Sequence, residues 1–137
     1  MHERIDQQTT QGNQAMKKLS RPLLTLVMLV ATACSAPEDS VKHLGQIPFD
    51  QKAWSQADQE TRGKMAYDLL KKVQKEKLKP TQIRALLGEQ TGYYNYDEIP
   101  AYLVGPKTVS SEYGDGYLIA FPYNSKTGEP LSPVVVP

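Results

Sequence analysis

The most constraining feature of this chain is an uncharged apolar run, Leu23 to Ala33, which ends at the only cysteine, Cys34. The segment Met16–Arg21 places positive charge just ahead of this run. As a helix the run would measure only about 16 Å, roughly half of the ~30 Å hydrocarbon core of a bilayer. A positive start, an apolar middle and small residues before the cysteine are the three parts of a secretory signal. We therefore predict a secretory leader over residues 1–33, without a stable transmembrane helix.

The segment Ala31-Thr32-Ala33-Cys34 resembles the lipobox of bacterial lipoproteins. The resemblance implies a diacylglyceryl group on the Cys34 thiol, cleavage just before Cys34, and acylation of the new amine. One acyl chain alone gives marginal binding, whereas two or more form a stable anchor. Ser35, rather than aspartate, follows the cysteine, which implies delivery to the outer membrane with the domain in the periplasm. The alternative is a buried free cysteine beside an apolar N-terminal helix.

The start of the chain also carries a prediction. Met1–Ala15 is polar and unlike the start of a signal, whereas Met16-Lys17-Lys18 is typical of one. Translation is therefore expected to begin at Met16, the alternative being a tolerated polar extension. The predicted organisation is a leader over residues 1–33, a lipidated cysteine and flexible tether over 34–46, and a single small domain over 47–137.

Charge and cysteine content limit the function. The chain has 16 basic and 15 acidic residues, and 12 and 13 remain once the leader is removed. This balance gives no basis for nucleic-acid binding. With Cys34 lipidated, no thiol is left for a disulfide, so the fold depends on one modest core. His43 is expected to be a solvated histidine of the tether, because the only other histidine, His2, lies in the leader.

Apolar residues at spacings of three and four predict a helix over Gln59–Lys77 with Asp58 as its N-cap. A second, short helix is expected to open at Pro80 with Thr81 as its cap and to end at Gly88. Basic residues are frequent on and beside the first helix. They form either a solvated face or a docking face for an acidic partner or lipid headgroups: Arg62, Lys64, Lys71, Lys72, Lys75, Lys77 and Lys79.

Short β-favouring runs follow at Ile99–Val104, Tyr117–Phe121 and Val134–Val136. Pro133 is expected to confine the last strand to an edge or to delay its start. Alternation within Tyr117–Phe121 puts apolar residues on both faces of that strand. We therefore expect helices on one face of the sheet and a semi-exposed aromatic surface on the other. The predicted class is α+β, with two N-terminal helices packed on a three- to four-stranded antiparallel sheet.

The turns between the strands can also be predicted. Gly114-Asp115-Gly116 is expected to form a turn, and Asn124–Glu129 a hairpin loop in which Gly128 adopts a positive φ.

Several short motifs resemble small bacterial proteins of the SmpA/OmlA type and their relatives. They are Phe49-Asp50, Trp54, Arg62, Met65, Asp68-Leu69-Leu70, Thr81, Ile83, Leu86-Leu87-Gly88, Tyr102-Leu103-Val104-Gly105-Pro106 and Tyr117-Leu118-Ile119-Ala120-Phe121. The resemblance covers Phe49 to Val136 and implies two helices on an antiparallel sheet, a unit also repeated in the β-lactamase-inhibitory protein. The best-known member of the type is a lipoprotein accessory of the outer-membrane β-barrel assembly machine. Lys79-Pro80 departs from the glycine that precedes the helix-opening threonine in that type, and no site residue is carried over.

These features predict a non-catalytic, lipid-anchored periplasmic interaction protein that is accessory to envelope assembly. Its expected partners are the membrane, through the lipid on Cys34, and an envelope protein, with no nucleic acid, no small-molecule substrate and no other cofactor. The alternative is an enzyme-inhibitory or cell-wall-binding module that uses a tyrosine-rich sheet face. The candidate partner-binding residues are Tyr93, Tyr94, Tyr96, Tyr113 and Trp54.

Each candidate also has an ordinary structural explanation. Strand propensity and half-burial account for the tyrosines, and Trp54 with Phe49 is expected to close one end of the core.

Catalysis is not expected. Asp97 and Glu98 are adjacent, so on an extended segment their carboxylates point in opposite directions. Ser110-Ser111 has no histidine to activate it. Gly114-Asp115-Gly116 is too short for a phosphate loop and has no following helix.

Overall fold

The helices of this protein precede its strands, as the sequence predicts. The computed structural model describes residues 34–137, which form one compact unit, Cys34–Pro137. Its elements in order are a 3-10 helix (Pro37–Leu44), α1 (Gln51–Gln56), α2 (Gln59–Glu76), α3 (Pro80–Leu87), β1 (Ala101–Val104), β2 (Ser110–Ser111), β3 (Gly114–Asp115), β4 (Tyr117–Ala120) and β5 (Val134–Val136). The α+β class is confirmed. The predicted leader, the start at Met16 and the segment Ala31–Ala33 lie outside the described residues.

The N-terminal caps explain where α1 and α2 begin. The Asp58 carboxylate accepts a hydrogen bond from the Thr61 amide at 2.8 Å, which confirms the predicted cap of α2. A hydrogen bond from the Thr61 side chain, followed by this bond from its amide, lowers the pKa of the Asp58 carboxyl. Asp50 caps α1 in the same way, accepting from the Ala53 amide at 2.8 Å. α1 is not among the predicted helices, because a helix of fewer than two turns is too short to show an apolar period.

α3 begins at Pro80, as predicted, but the prediction of Thr81 as its cap is wrong, because the N-cap lies two residues earlier. Lys79 is the N-cap, and its amide donates to the Gln82 side chain at 2.8 Å. Pro80 occupies the first turn, where its fixed φ suits a helix and its missing N–H costs nothing. Gly88 ends the helix at φ +82°, as predicted, and its amide donates to the Arg84 carbonyl at 2.8 Å.

The main sheet is antiparallel with the strand order β1-β4-β5. Tyr102 of β1 lies opposite Ile119 of β4, which lies opposite Val135 of β5. β5 is an edge strand, as Pro133 predicts. The predicted hairpin loop is also confirmed: the Asn124 amide donates to the Glu129 carbonyl at 2.9 Å, and Gly128 has φ +75°.

A small hairpin, β2-β3, is inserted between β1 and β4 and corrects the predicted turn at Gly114-Asp115-Gly116. Gly114 and Asp115 form β3, and the chain reverses at residues 112–113 instead. Gly116 serves a different purpose. A Cβ at that position would lie 2.9 Å from the Val104 carbonyl oxygen, so the glycine permits close packing of the hairpin exit against β1.

The two faces of the main sheet have different cover. One face is directed at the helices and carries the side chains of Tyr102, Val104, Ile119 and Phe121. These side chains pack against four residues of α2: Met65, Leu69, Leu70 and Val73. The opposite face presents Ala101, Leu118 and Ala120, and the side chains of Tyr94, Ile99, Leu103, Tyr113, Val134 and Val136 pack against it. The predicted alternation is confirmed. The strand tyrosines Tyr102 and Tyr117 pack on the helix side, so the half-buried tyrosines of the opposite face, Tyr94 and Tyr113, come from outside the strands.

The prediction of a flexible tether is wrong over Pro37–Leu44. This segment is a 3-10 helix that packs on α2, and its Val41 side chain is fully buried in the core. The Glu38 carboxylate accepts from the Gln74 side-chain amide at 2.7 Å. The few apolar residues of this polar stretch show no periodic pattern in the sequence. In the fold, Val41 and the partly buried Leu44 attach the 3-10 helix to the core.

His43 lies on the outer side of this 3-10 helix. It is exposed, as predicted, but it is not isolated, since its Nε2 lies 3.0 Å from the Tyr117 hydroxyl. Between residues 34 and 137, none of the helices combines the length and apolarity needed to span a membrane.

Candidate functional site

The predicted lipidation site, Cys34, lies at the first residue of the described unit. Its side chain is a free, exposed thiol. Only Ser35 and Ala36 separate it from the 3-10 helix that begins at Pro37. Because an extended residue spans at most about 3.5 Å, this connection reaches only roughly 10 Å. The thiol is therefore accessible, yet held close to the folded domain.

Trp54 lies in the core rather than at the surface, where a partner would have to meet it. Its side chain is fully buried, and its indole Nε1 donates to the Leu87 carbonyl at 3.1 Å. The Phe49 ring lies 5.9 Å away, and the Arg62 guanidinium stacks over the indole at 4.8 Å. Burial at this position lowers the pKa of Arg62. Trp54 and Phe49 close one end of the core, which was the ordinary structural explanation.

The candidate tyrosines belong mainly to the segment between α3 and β1, residues 88–100, here called the tyrosine loop. Its base runs along β1. The amides of Thr91 and Gly92 both donate to the Ala101 carbonyl at 3.1 Å, and the Leu103 amide donates to the Thr91 hydroxyl at 2.9 Å. The loop therefore covers the outer edge of β1, which would otherwise present unpaired backbone groups.

The tip of the tyrosine loop is a tight reversal centred on Asn95. Asn95 has φ +59°, a left-handed conformation that asparagine tolerates better than most residues. The Tyr96 amide donates to the Tyr94 carbonyl at 2.6 Å, and the Tyr93 hydroxyl donates to the Asn95 carbonyl. This one turn therefore points the side chains of the neighbouring tyrosines in different directions.

Arg84, from α3, ties the two arms of the tyrosine loop together. Its guanidinium donates to the Asp97 carbonyl at 2.9 Å and to the Gln90 side-chain oxygen at 3.1 Å. Sequence reasoning did not identify Arg84 or Asn95. An asparagine between two tyrosines was a visible sign of a left-handed turn, but nothing local indicated the long-range contact of Arg84.

The four candidate tyrosines divide into two pairs. Tyr94 and Tyr113 are half-buried, with ring centroids 5.6 Å apart, and they pack on the helix-free face of the sheet. Burial raises the pKa of Tyr113, and the neighbouring Glu112 and Tyr94 raise it further. Tyr93 and Tyr96 instead remain 51% and 66% exposed. The structure therefore brings the candidates together but leaves only two of them available to a partner.

The exposed tyrosines lie in an acidic part of the chain. Glu89, Asp97 and Glu98 are all exposed. The sequence has no lysine or arginine between Arg84 and Lys107. The exposed tip of the tyrosine loop therefore combines aromatic rings with negative charge.

Within residues 34–137, no cluster of three or more histidine, cysteine, aspartate or glutamate side chains is arranged to hold a metal ion.

No protein-family model, curated protein or solved structure matches the chain. The resemblance to the SmpA/OmlA type therefore stays a prediction.

Proposed function

We propose that this chain is a lipid-anchored, non-catalytic interaction protein of the outer membrane, with its domain in the periplasm and a role accessory to envelope assembly. The observation that carries the proposal is Cys34, an exposed cysteine at the first residue of the compact unit and directly after a predicted secretory leader. The resemblance to the SmpA/OmlA type supports the same function.

The position of the 3-10 helix adds a geometric consequence. Because only two residues would separate the lipidated Cys34 from Pro37 and the 3-10 helix packs on α2, the domain would lie directly beside the membrane surface. A flexible tether would allow the domain to move freely, whereas a reach of roughly 10 Å restricts it to partners at or in the same membrane. This restriction fits an accessory of a membrane-embedded assembly.

The test is expression of the full chain in a Gram-negative host beside two variants, Cys34→Ala and Ser35→Asp. The wild type is expected in the outer-membrane fraction with the mass of an acylated N-terminal cysteine, and crosslinking should capture membrane-embedded β-barrel proteins. Cys34→Ala should lose the acyl mass and those partners. Ser35→Asp should keep the acyl mass but move to the inner membrane.

Two outcomes would contradict the proposal. One is an unmodified Cys34 in the wild-type chain. The other is equal recovery of barrel proteins with the wild type and with Cys34→Ala, since capture would then not depend on the anchor.

A second candidate function is an enzyme inhibitor or cell-wall-binding module. The exposure of Tyr93 and Tyr96 favours it, because a tyrosine ring offers a large rigid contact area with a polar tip. Under this alternative the same crosslinking experiment would recover a soluble enzyme or a cell-wall fragment with both the wild type and Cys34→Ala.

A further inference from the structure

Two of the large apolar side chains that are exposed in residues 34–137 lie together in the tyrosine loop. Four such side chains are exposed in that range, and two of them, Tyr93 and Tyr96, lie three residues apart in this loop. The other two, Ile47 and Leu131, are single residues on separate segments. Aromatic side chains are enriched at protein interfaces, and a pair of exposed rings indicates a contact surface more strongly than a scattered residue does.

The tyrosine loop is held in place before any partner arrives. Its base is hydrogen-bonded to β1 through Thr91, its arms are joined by Arg84, and its tip is turned by Asn95. Tyr94 packs against Tyr113 beneath the tip. A surface that is already ordered loses little conformational entropy on binding, so its contacts contribute more fully to affinity.

The charge around the rings selects the chemistry of the partner. Glu89, Asp97 and Glu98 are exposed on the same loop, and Glu112 is exposed beside Tyr113, which packs under the loop. The Arg84 guanidinium donates to the backbone carbonyl of Asp97 and to the side-chain oxygen of Gln90, so this single cation stands against three carboxylates of the loop. Anionic headgroups and acidic segments would be repelled, whereas a cation would meet ring faces and carboxylates together.

We propose that the tyrosine loop is the docking surface for an extended, arginine- or lysine-bearing segment of an envelope protein. An arginine side chain can stack on an exposed tyrosine ring and donate to a carboxylate beside it. A neutral glycan would use the rings but gain nothing from the carboxylates, which is why a cationic protein segment is the better fit. This inference rests on the proposed function for the location of the partner, and the peptide-binding property itself does not require the lipid.

The test is binding of a fluorescent peptide of alternating arginine and serine to the purified full-length chain in nonionic detergent, measured by anisotropy at low and physiological salt. A peptide with glutamate in place of arginine is the charge control. The loop variants are Tyr96→Ala, Tyr96→Phe and Glu98→Gln. The matched controls are Leu131→Ala, for an exposed apolar residue elsewhere, and Glu129→Gln, for an exposed carboxylate on another hairpin.

The arginine peptide should bind and the glutamate peptide should not. Tyr96→Ala should weaken binding about two- to fivefold, the size of an exposed cation–π contact, while Tyr96→Phe should retain it because the ring face is preserved. Glu98→Gln should weaken binding more at low salt than at physiological salt, since exposed charges are screened by ions. Leu131→Ala and Glu129→Gln should bind as the wild type does.

Several results would overturn the inference. The first is that the arginine peptide does not bind, and the second is that Glu129→Gln and Glu98→Gln weaken its binding equally. The third is that the chain binds a neutral cell-wall glycan in preference to the peptide. The fourth is that the chain self-associates through the lysines of α2 and that Tyr96→Ala abolishes this self-association. A full-length Cys34→Ala chain distinguishes this inference from the proposed function. If it binds the peptide as the wild type does but fails to localise, the loop acts independently of the anchor. If the wild type localises but binds no peptide, only the docking inference fails.

Discussion

The burial of Val41 gives the sharpest test of how the anchored end of the domain is arranged. The Val41 side chain is fully buried in the core formed by α2 and the sheet, although it belongs to a segment of polar composition. Val41→Ala removes two methyl groups. Each buried methyl group contributes about 0.8 kcal/mol, and the cavity that remains adds a further cost. The free energy of unfolding should therefore fall by about 2–3 kcal/mol.

The assay can use Trp54, the only tryptophan, which is fully buried and will report loss of the core by fluorescence. With a urea m-value of about 1–3 kcal/mol per molar, the unfolding midpoint of Val41→Ala should fall by roughly 1–2 M. Ser40→Ala is the matched control, because Ser40 is exposed on the same 3-10 helix, and its effect should stay within about 0.5 kcal/mol. Equal midpoints for Val41→Ala and Ser40→Ala would refute the packed arrangement and restore a flexible tether.

Two further predictions concern the core. Gly63→Ala should destabilise the protein by about 1–3 kcal/mol, because the new Cβ would lie 2.6 Å from the Gly105 Cα. This clash should outweigh the roughly 1 kcal/mol by which alanine is preferred over glycine in a helix. Thermal unfolding monitored by circular dichroism tests this, and an unchanged or higher unfolding midpoint would contradict it. Burial raises the pKa of Tyr102 to about 12, so the folded state holds the hydroxyl proton more tightly than the unfolded chain does. The contribution of this protonated hydroxyl to the free energy of unfolding is complete below the ordinary tyrosine pKa of 10 and is lost as the pH rises through 12. The loss should be on the order of 1–2 kcal/mol after allowance for solvent screening, and Tyr102→Phe should have a flatter stability profile over that pH range; parallel profiles for the two chains would be evidence against the shift.

The local part of the fold was predictable from the residues alone. The period of α2, its Asp58 cap and the glycine that ends α3 each depend on neighbours within a few positions along the chain. The alternation in Tyr117–Phe121 correctly placed Ile119 and Phe121 on one face of the sheet and Leu118 and Ala120 on the other. These features follow from helix and strand geometry, which repeats at short range and is therefore visible in sequence.

The predicted location is also inferred from the sequence by itself. Positive charge, an apolar run and small residues before Cys34 are visible along the chain, and the leader that they predict lies outside the described residues. The exposure of Cys34 agrees with this prediction without testing it.

Only the tertiary structure decided which aromatic residues are available to a partner. Tyr94 and Tyr96 are two positions apart and chemically identical, yet one packs on Tyr113 and the other is 66% exposed. Trp54 is removed from the surface by Leu87 and Arg62, and Val41 is buried only because α2 lies beside it. Burial of a side chain depends on residues far away in the chain that fold against it, and no local pattern records those contacts.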